Sequence, residues 1–400
     1  MGNIFSNQKT TRSNFLQKIK RNSLIILLRT IPKKFIFQLL IKINNIKLMK
    51  AILKETFRKE TYFNSKRIYE FTPPQPNQIV SINYSPSGES ISIVCLGKLL
   101  FIYGVNHLNR KTFGQIILKI LMEEDYPTCS SYSPSGSHIA VGFQNKKILI
   151  FGVNPLNTDI YGKQILCLSW GKESASSISY SSNGDYLAVA RKGEPVIIYG
   201  VNPLDKSNYG KQILKFYKNE MFLIYSVCYS PVSNSIALGS LGKTVILYYI
   251  DLLNDDFFQN NIEQKILEED VNTDKRINNI IKYSPNGEYL VTGTLDKKLI
   301  IYGSNYYNTT YYGKILHKIE GYKNNIDSIS FSYSGNYLAI GIHDSNEDYV
   351  YYVGPDKKNF GKQVNKLNSF NKSVIKSLCF SPSRPFLACV CNIRTVVIYY

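Results

Sequence analysis

Short apolar runs alternate with polar, Gly-bearing turns along most of the chain, and the alternation itself repeats. The unit is clearest at Tyr132-Ser-Pro-Ser-Gly136, followed by Ile139-Ala-Val141 and Ile150-Phe-Gly152. An aromatic opens it at Tyr84, Tyr132, Tyr180, Tyr229, Tyr283, Phe331 and Phe380, in steps of 48 to 54 residues. A fixed period of that size marks a repeat architecture.

Each unit reads as three apolar strands and a weaker fourth. Before the aromatic, alternate positions carry Ile82, Ile178, Val227, Ile281, Ile329 and Leu378, the period-two pattern of a strand; Ser130 is the exception. Ser-Pro-Ser-Gly or a variant follows, with Pro presetting φ for a turn and Gly taking its positive-φ corner. A second strand (residues 91–95 in the first unit) leads through a short turn to a continuous apolar run, Leu99-Leu-Phe-Ile-Tyr103, suited to burial on both faces. A polar loop, Gly152-Val-Asn-Pro-Leu-Asn157, then reaches Tyr161-Gly-Lys-Gln164 and the fourth strand at 165–168. The third unit repeats that loop almost word for word at 200–212. Seven units of four strands, with no helical period inside them, predict an all-β fold: a seven-bladed β-propeller of four-stranded blades.

The seventh unit reaches Tyr400 after only three strands. Its fourth is expected from Ser65-Lys-Arg-Ile-Tyr-Glu-Phe71, which matches Gly210-Lys-Gln-Ile-Leu-Lys-Phe216. The spacing agrees, since Ile68 precedes Tyr84 by as many residues as Ile213 precedes Tyr229. An N-terminal strand in the last blade would close the ring and remove the open sheet edges that invite aggregation. The expected domains are therefore an arm, 1–64, and a propeller, 65–400.

Aromatic-Ser-Pro-x-Gly, a small-residue second strand, a Lys-containing turn and a third strand ending in an aromatic together resemble the WD-repeat (WD40) family over residues 65–400. There are departures. The Trp-Asp that ends the family's third strand is replaced by Tyr103-Gly104, Phe151-Gly152, Tyr199-Gly200 and Tyr302-Gly303, its Gly-His is absent, and only Asp296 stands where the family places a turn aspartate. The resemblance implies a non-enzymatic scaffold for protein partners.

Charge changes the picture only at the N-terminus. The net charge is +19, but residues 1–60 hold 14 Lys/Arg against two acids, leaving residues 61–400 at +7. The arm is apolar as well as basic, and no acid occurs before Glu55. It reads as a pair of helical segments broken at Pro32; Arg29, Lys33, Lys34 and Lys42 interrupt any run of the roughly 20 apolar residues that a bilayer span needs. Three readings fit. Met1-Gly-Asn-Ile-Phe-Ser6 has the pattern for N-myristoylation at Gly2, and Lys9, Arg12, Lys18, Lys20 and Arg21, with Arg29, Lys33 and Lys34, would supply the second signal an acyl chain needs at a membrane surface. The same composition suits an organelle transit peptide. It also suits an arm docked on the propeller or a partner.

No catalytic constellation emerges, and no cofactor or metal site is expected. His107, His138, His317 and His343 fall at unrelated places in the repeat. Residues 237–244 imitate a phosphate loop, but Ala237 takes the first Gly position and the segment joins two strands. The cysteines recur at equivalent positions (Cys228 with Cys379, Cys95 with Cys391), as core packing residues do. Glu123-Glu-Asp125 and Glu268-Glu-Asp270, with Asp255 and Asp256, read as solvated loop charge. The best candidate contacts are the loops between third and fourth strands: Tyr161 and Lys163, Tyr209 and Lys211, Tyr312 and Lys314, Phe360 and Lys362, an aromatic and a lysine from four blades on one face. They are expected to serve a protein partner. The alternative is nucleic acid, through stacking and phosphate contact, in a ribonucleoprotein or organellar setting. The expected location is cytoplasmic, peripheral on a membrane, or an organelle if the arm is a removed transit peptide.

Overall fold

Twenty-eight strands fall into seven four-stranded antiparallel sheets, and no helix occurs among the described residues. The structure, a computed structural model, describes residues 66–400 except 75–76, 107, 110, 170, 192, 217–223, 241–243, 250–262, 269–279, 295, 306–309, 344–346 and 369–374. Blades 1 to 6 span residues 79–121, 127–169, 175–216, 224–268, 280–319 and 326–368, each a meander of consecutive strands from the axis outward. The seventh sheet joins Ile375–Phe380, Leu387–Cys391 and Thr395–Tyr399 to Arg67–Phe71 on its outer edge. Tyr69 pairs with Ile398 and Phe71 with Val396, and Lys66 and Tyr400 exchange backbone hydrogen bonds of 3.0 and 2.9 Å.

The hydrophobic pattern explains the layering. Third strands are mostly buried, Leu99–Gly104 and Leu299–Gly303 along their whole length. Outer strands bury little; Ile116–Leu121 keeps four of six residues exposed. The core lies between sheets: Ile93 and Phe101 of blade 1 pack with Ala388, Val390 and Ile398 of blade 7. Cys95, Cys389 and Cys391 are buried in such clusters, and burial pushes the Cys95 thiol up to about 12. Cys167, on an outer strand, is exposed.

Inner strands are edge strands, and their free N–H groups find side chains on the preceding blade. Ser179 Oγ accepts from Tyr229 N at 3.0 Å, and Ser330 Oγ from Phe380 N at 2.9 Å. Ser130, which breaks the apolar alternation, faces such a partner: its hydroxyl donates to Ser81 Oγ and accepts from Asn83 Nδ2, both at 2.9 Å. The turn serines work locally. Ser85, Ser133, Ser181, Ser284 and Ser332 each accept, on Oγ, the N–H five residues onward at 2.9–3.1 Å, closing the turn before the second strand. Gly136 in that turn has φ +72°, with Pro86 of the previous blade 3.4 Å from where a Cβ would sit.

Candidate interaction face

The loops between third and fourth strands are built to one plan. In blade 2 the third strand, Lys147–Gly152, ends on Gly152, whose carbonyl accepts from Gly162 N at 2.8 Å and whose N–H donates to Lys163 O at 3.0 Å. Blades 1, 3 and 5 repeat both bonds around Gly104, Gly200 and Gly303. The returning loop lies so close that a Cβ at Gly152 would stand 2.3 Å from the carbonyl oxygen of Ile160. The aspartate of the family's Trp-Asp pair cannot be accommodated there without moving the loop. In blade 6, Tyr352 makes the same pair of bonds, to Gly361 and Lys362, across a loop one residue shorter.

Within each loop an Asn sets the first turn. Asn106, Asn154 and Asn202 accept, on Oδ1, the N–H of Leu108, Leu156 and Leu204 at 3.1, 3.0 and 2.9 Å. Asp205 caps the next turn, accepting from Ser207 Oγ at 2.6 Å and Asn208 Nδ2 at 2.8 Å; these two bonds, Ser207 foremost, hold its carboxyl below the usual range. The turns that follow first strands lie on this same face, since Val105 N donates to Glu89 O and Val153 N to Ser137 O.

The aromatic and lysine residues of the candidate contacts separate here. Tyr161 Oη donates to Ile117 O and Tyr209 Oη to Ile165 O, both at 3.2 Å, reaching the outer strand of the preceding blade. Phe360 meets His317 edge-on at 5.9 Å, again on the preceding outer strand, and Tyr312 packs half-buried against a core cluster. Phe113 of blade 1 repeats the contact with Tyr69 of Arg67–Phe71, ring centroids 4.7 Å apart. Lys163, Lys211, Lys314 and Lys362 remain exposed. What stands out into solvent is a residue type that sequence reading passed over: Leu108, Leu156 and Leu204 are 71, 91 and 89% exposed. Their signal was a leucine two residues after Asn in three successive units, with Pro between at 155 and 203.

The remaining candidates disperse or fall outside the described residues. Gly2 and Lys9, Arg12, Lys18, Lys20, Arg21, Arg29, Lys33 and Lys34 lie outside them, as do His107, Asp255, Asp256, Asp270 and residues 241–243. Glu124 is held by Lys147 Nζ at 2.7 Å and Asn145 at 2.5 Å, and the Lys147 bond keeps its carboxyl low. Asp296 pairs with Lys298 at 3.1 Å, and His343 Nδ1 with Asp327 at 2.6 Å. Among the described residues no group of three or more His, Cys, Asp or Glu could hold a metal ion, and no helix is long and apolar enough to cross a membrane.

Comparison with known proteins bears on the fold. The family model described as WD domain, G-beta repeat matches residues 270–303. No curated protein sequence matches the chain. Among solved structures, the crystal structure of the Myceliophteria thermophila Cps50 (Swd1) β-propeller domain superimposes with a TM-score of 0.65 at 12% identity, covering 84% of this chain and 99% of that one. With 1884 solved chains matching, the architecture is common, and no catalytic family is indicated. Seven four-stranded blades and this superposition make the chain a seven-bladed β-propeller, one repeat of which, at 270–303, matches the WD-domain model.

Proposed function

We propose that this protein is a non-enzymatic interaction scaffold: a rigid ring that binds a protein partner while its N-terminal residues hold it at a membrane surface. WD40 propellers are typically protein-interaction scaffolds, which supports the first half by analogy of fold. The observation that carries it is the construction of the candidate face. Tyr161 and Tyr209 join neighbouring blades, Asp205 caps a turn, and lysines and leucines stand exposed on short hydrogen-bonded loops. Such a surface is suited to presenting contacts to a partner. Membrane tethering is supported by the Met-Gly-x-x-x-Ser start and the basic residues behind it, since one acyl chain with a basic patch suffices for stable attachment.

The test is isolation of the full-length chain from its native cell. A stoichiometric protein partner, together with a myristoyl group on Gly2, is the expected result. Recovery of the chain alone and unacylated would refute both halves. An N-terminus cut near residue 64 would indicate an organelle protein instead. Retention on RNA that falls steeply between 50 and 200 mM salt would redirect the exposed lysines to phosphate.

A further inference from the structure

We infer that the loops at 105–113, 153–162 and 201–210 form a membrane-docking edge, with Leu108, Leu156 and Leu204 entering the apolar layer of an anionic bilayer. The inference rests on the membrane-surface reading above and adds to it which part of the propeller meets the lipid.

Three observations point to lipid. First, each leucine is raised on its own Asx turn, at 71 to 91% exposure. Separate rigid apolar tips gain most from a fluid layer that closes around each of them. Second, they occupy equivalent positions in adjacent blades 1, 2 and 3, so the propeller's own symmetry brings them to a common level along one arc of one face. Third, charge follows them. The sequences of the loops 105–115, 153–163, 201–211, 304–314 and 353–362 contain nine Lys/Arg against three Asp, a net +6, whereas the corresponding stretch of blade 4, 250–262, holds three Asp and no Lys/Arg. Lys111, Lys163, Lys206 and Lys211, on the same loops of blades 1 to 3 as the leucines, are exposed. Apolar tips with lysines around them match a surface that is anionic at its headgroups and apolar beneath. Docking on this edge leaves the opposite face, with its turns between second and third strands, free for a protein.

The chain has one native tryptophan, Trp170, so the depth of a loop can be read from a single introduced one. The probe is the unacylated full-length chain carrying Trp170→Phe and Leu156→Trp, with vesicles of 30% phosphatidylserine and with the same vesicles containing brominated acyl chains. The expected result is a blue shift and quenching of the tryptophan introduced at 156, lost above about 0.5 M salt. Replacing Leu108, Leu156 and Leu204 by Ser should weaken vesicle binding about tenfold per leucine, with an unchanged melting temperature because the side chains are already in solvent. Vesicle binding without quenching at 156 would overturn this inference and leave the membrane reading standing. Absence of binding, in both acylated and unacylated protein, would overturn both. Unchanged vesicle binding by the triple Ser variant, with loss of a protein partner, would reassign the leucines to a protein interface.

Discussion

Gly152→Ala is the sharpest test of how these loops are built. Gly152 is not among the positive-φ residues, so alanine imposes no backbone strain there and its cost is purely one of space. The added Cβ would stand 2.3 Å from the oxygen, 2.9 Å from the carbon and 3.0 Å from the Cβ of Ile160. An ordinary contact requires the loop to retreat by about 1 Å, and backbone, unlike a long side chain, has no alternative rotamer. Overpacking of this kind costs about 1–3 kcal/mol. The retreat also stretches the bonds from Gly162 N and to Lys163 O, which span 2.8 and 3.0 Å and are worth about 1 kcal/mol each. The total is about 2–4 kcal/mol, read as a fall in the urea midpoint of roughly 1 M. Gly152→Asp, which restores the second residue of the family's Trp-Asp pair, should cost at least as much. Gly321→Ala is the control: its Cβ would meet nothing within 4 Å, so only its φ of +94° is penalised. A shift below 0.5 kcal/mol for Gly152→Ala, with the loop unmoved in a crystal structure of the variant, would refute the reasoning.

Tyr209→Phe removes the hydroxyl that donates to Ile165 O and should lower stability by about 0.5–1.5 kcal/mol, measured by urea unfolding, with no effect on vesicle binding. Asp348 is buried, with Oδ1 accepting from Ile342 N at 2.8 Å; burial foremost, with Asp327 nearby, pushes its carboxyl up to about 8. The folded protein then keeps a proton that the unfolded chain releases near pH 4, so this contribution to stability is full below pH 4 and is lost as pH rises toward 8. Asp348→Asn, which keeps the acceptor, should flatten that slope and stabilise the protein at pH 8 by on the order of 1–3 kcal/mol, checked by melting from pH 4 to 8. A chain beginning at residue 65 should melt as the full-length protein does, whereas one beginning at 73 lacks Arg67–Phe71, exposes the edge of Thr395–Tyr399 and should self-associate, seen by sedimentation.

The architecture was legible because blade geometry is written into side-chain period. The spacing of the aromatics from Tyr84 to Phe380 marks seven sheets, and the unbroken run at 99–103 marks a strand with sheets on both sides. Ser130 looked like an error in the pattern and is instead a polar contact between inner strands, which period alone cannot reveal because its partners, Ser81 and Asn83, are in another unit. The site was less legible. Tyr-Gly-Lys reads equally well as a stacking loop or a packing one, and the choice depends on where the hydroxyl ends: Ile117 and Ile165 lie 44 residues before Tyr161 and Tyr209. Gly152 gave no sign of why it excludes aspartate, since the obstruction is the backbone of Ile160 after the loop has closed. Leu156 lies in a loop that reads as polar, and its 91% exposure on a fixed turn is visible only in the structure.

The most direct test of the account is hydrogen–deuterium exchange of the full-length protein with and without anionic vesicles. The account predicts slowed exchange in 105–113, 153–162 and 201–210 and no change in the turns at 96–98 and 144–146 on the opposite face. Slowed exchange in those opposite turns, with the three leucine loops unaffected, would contradict it.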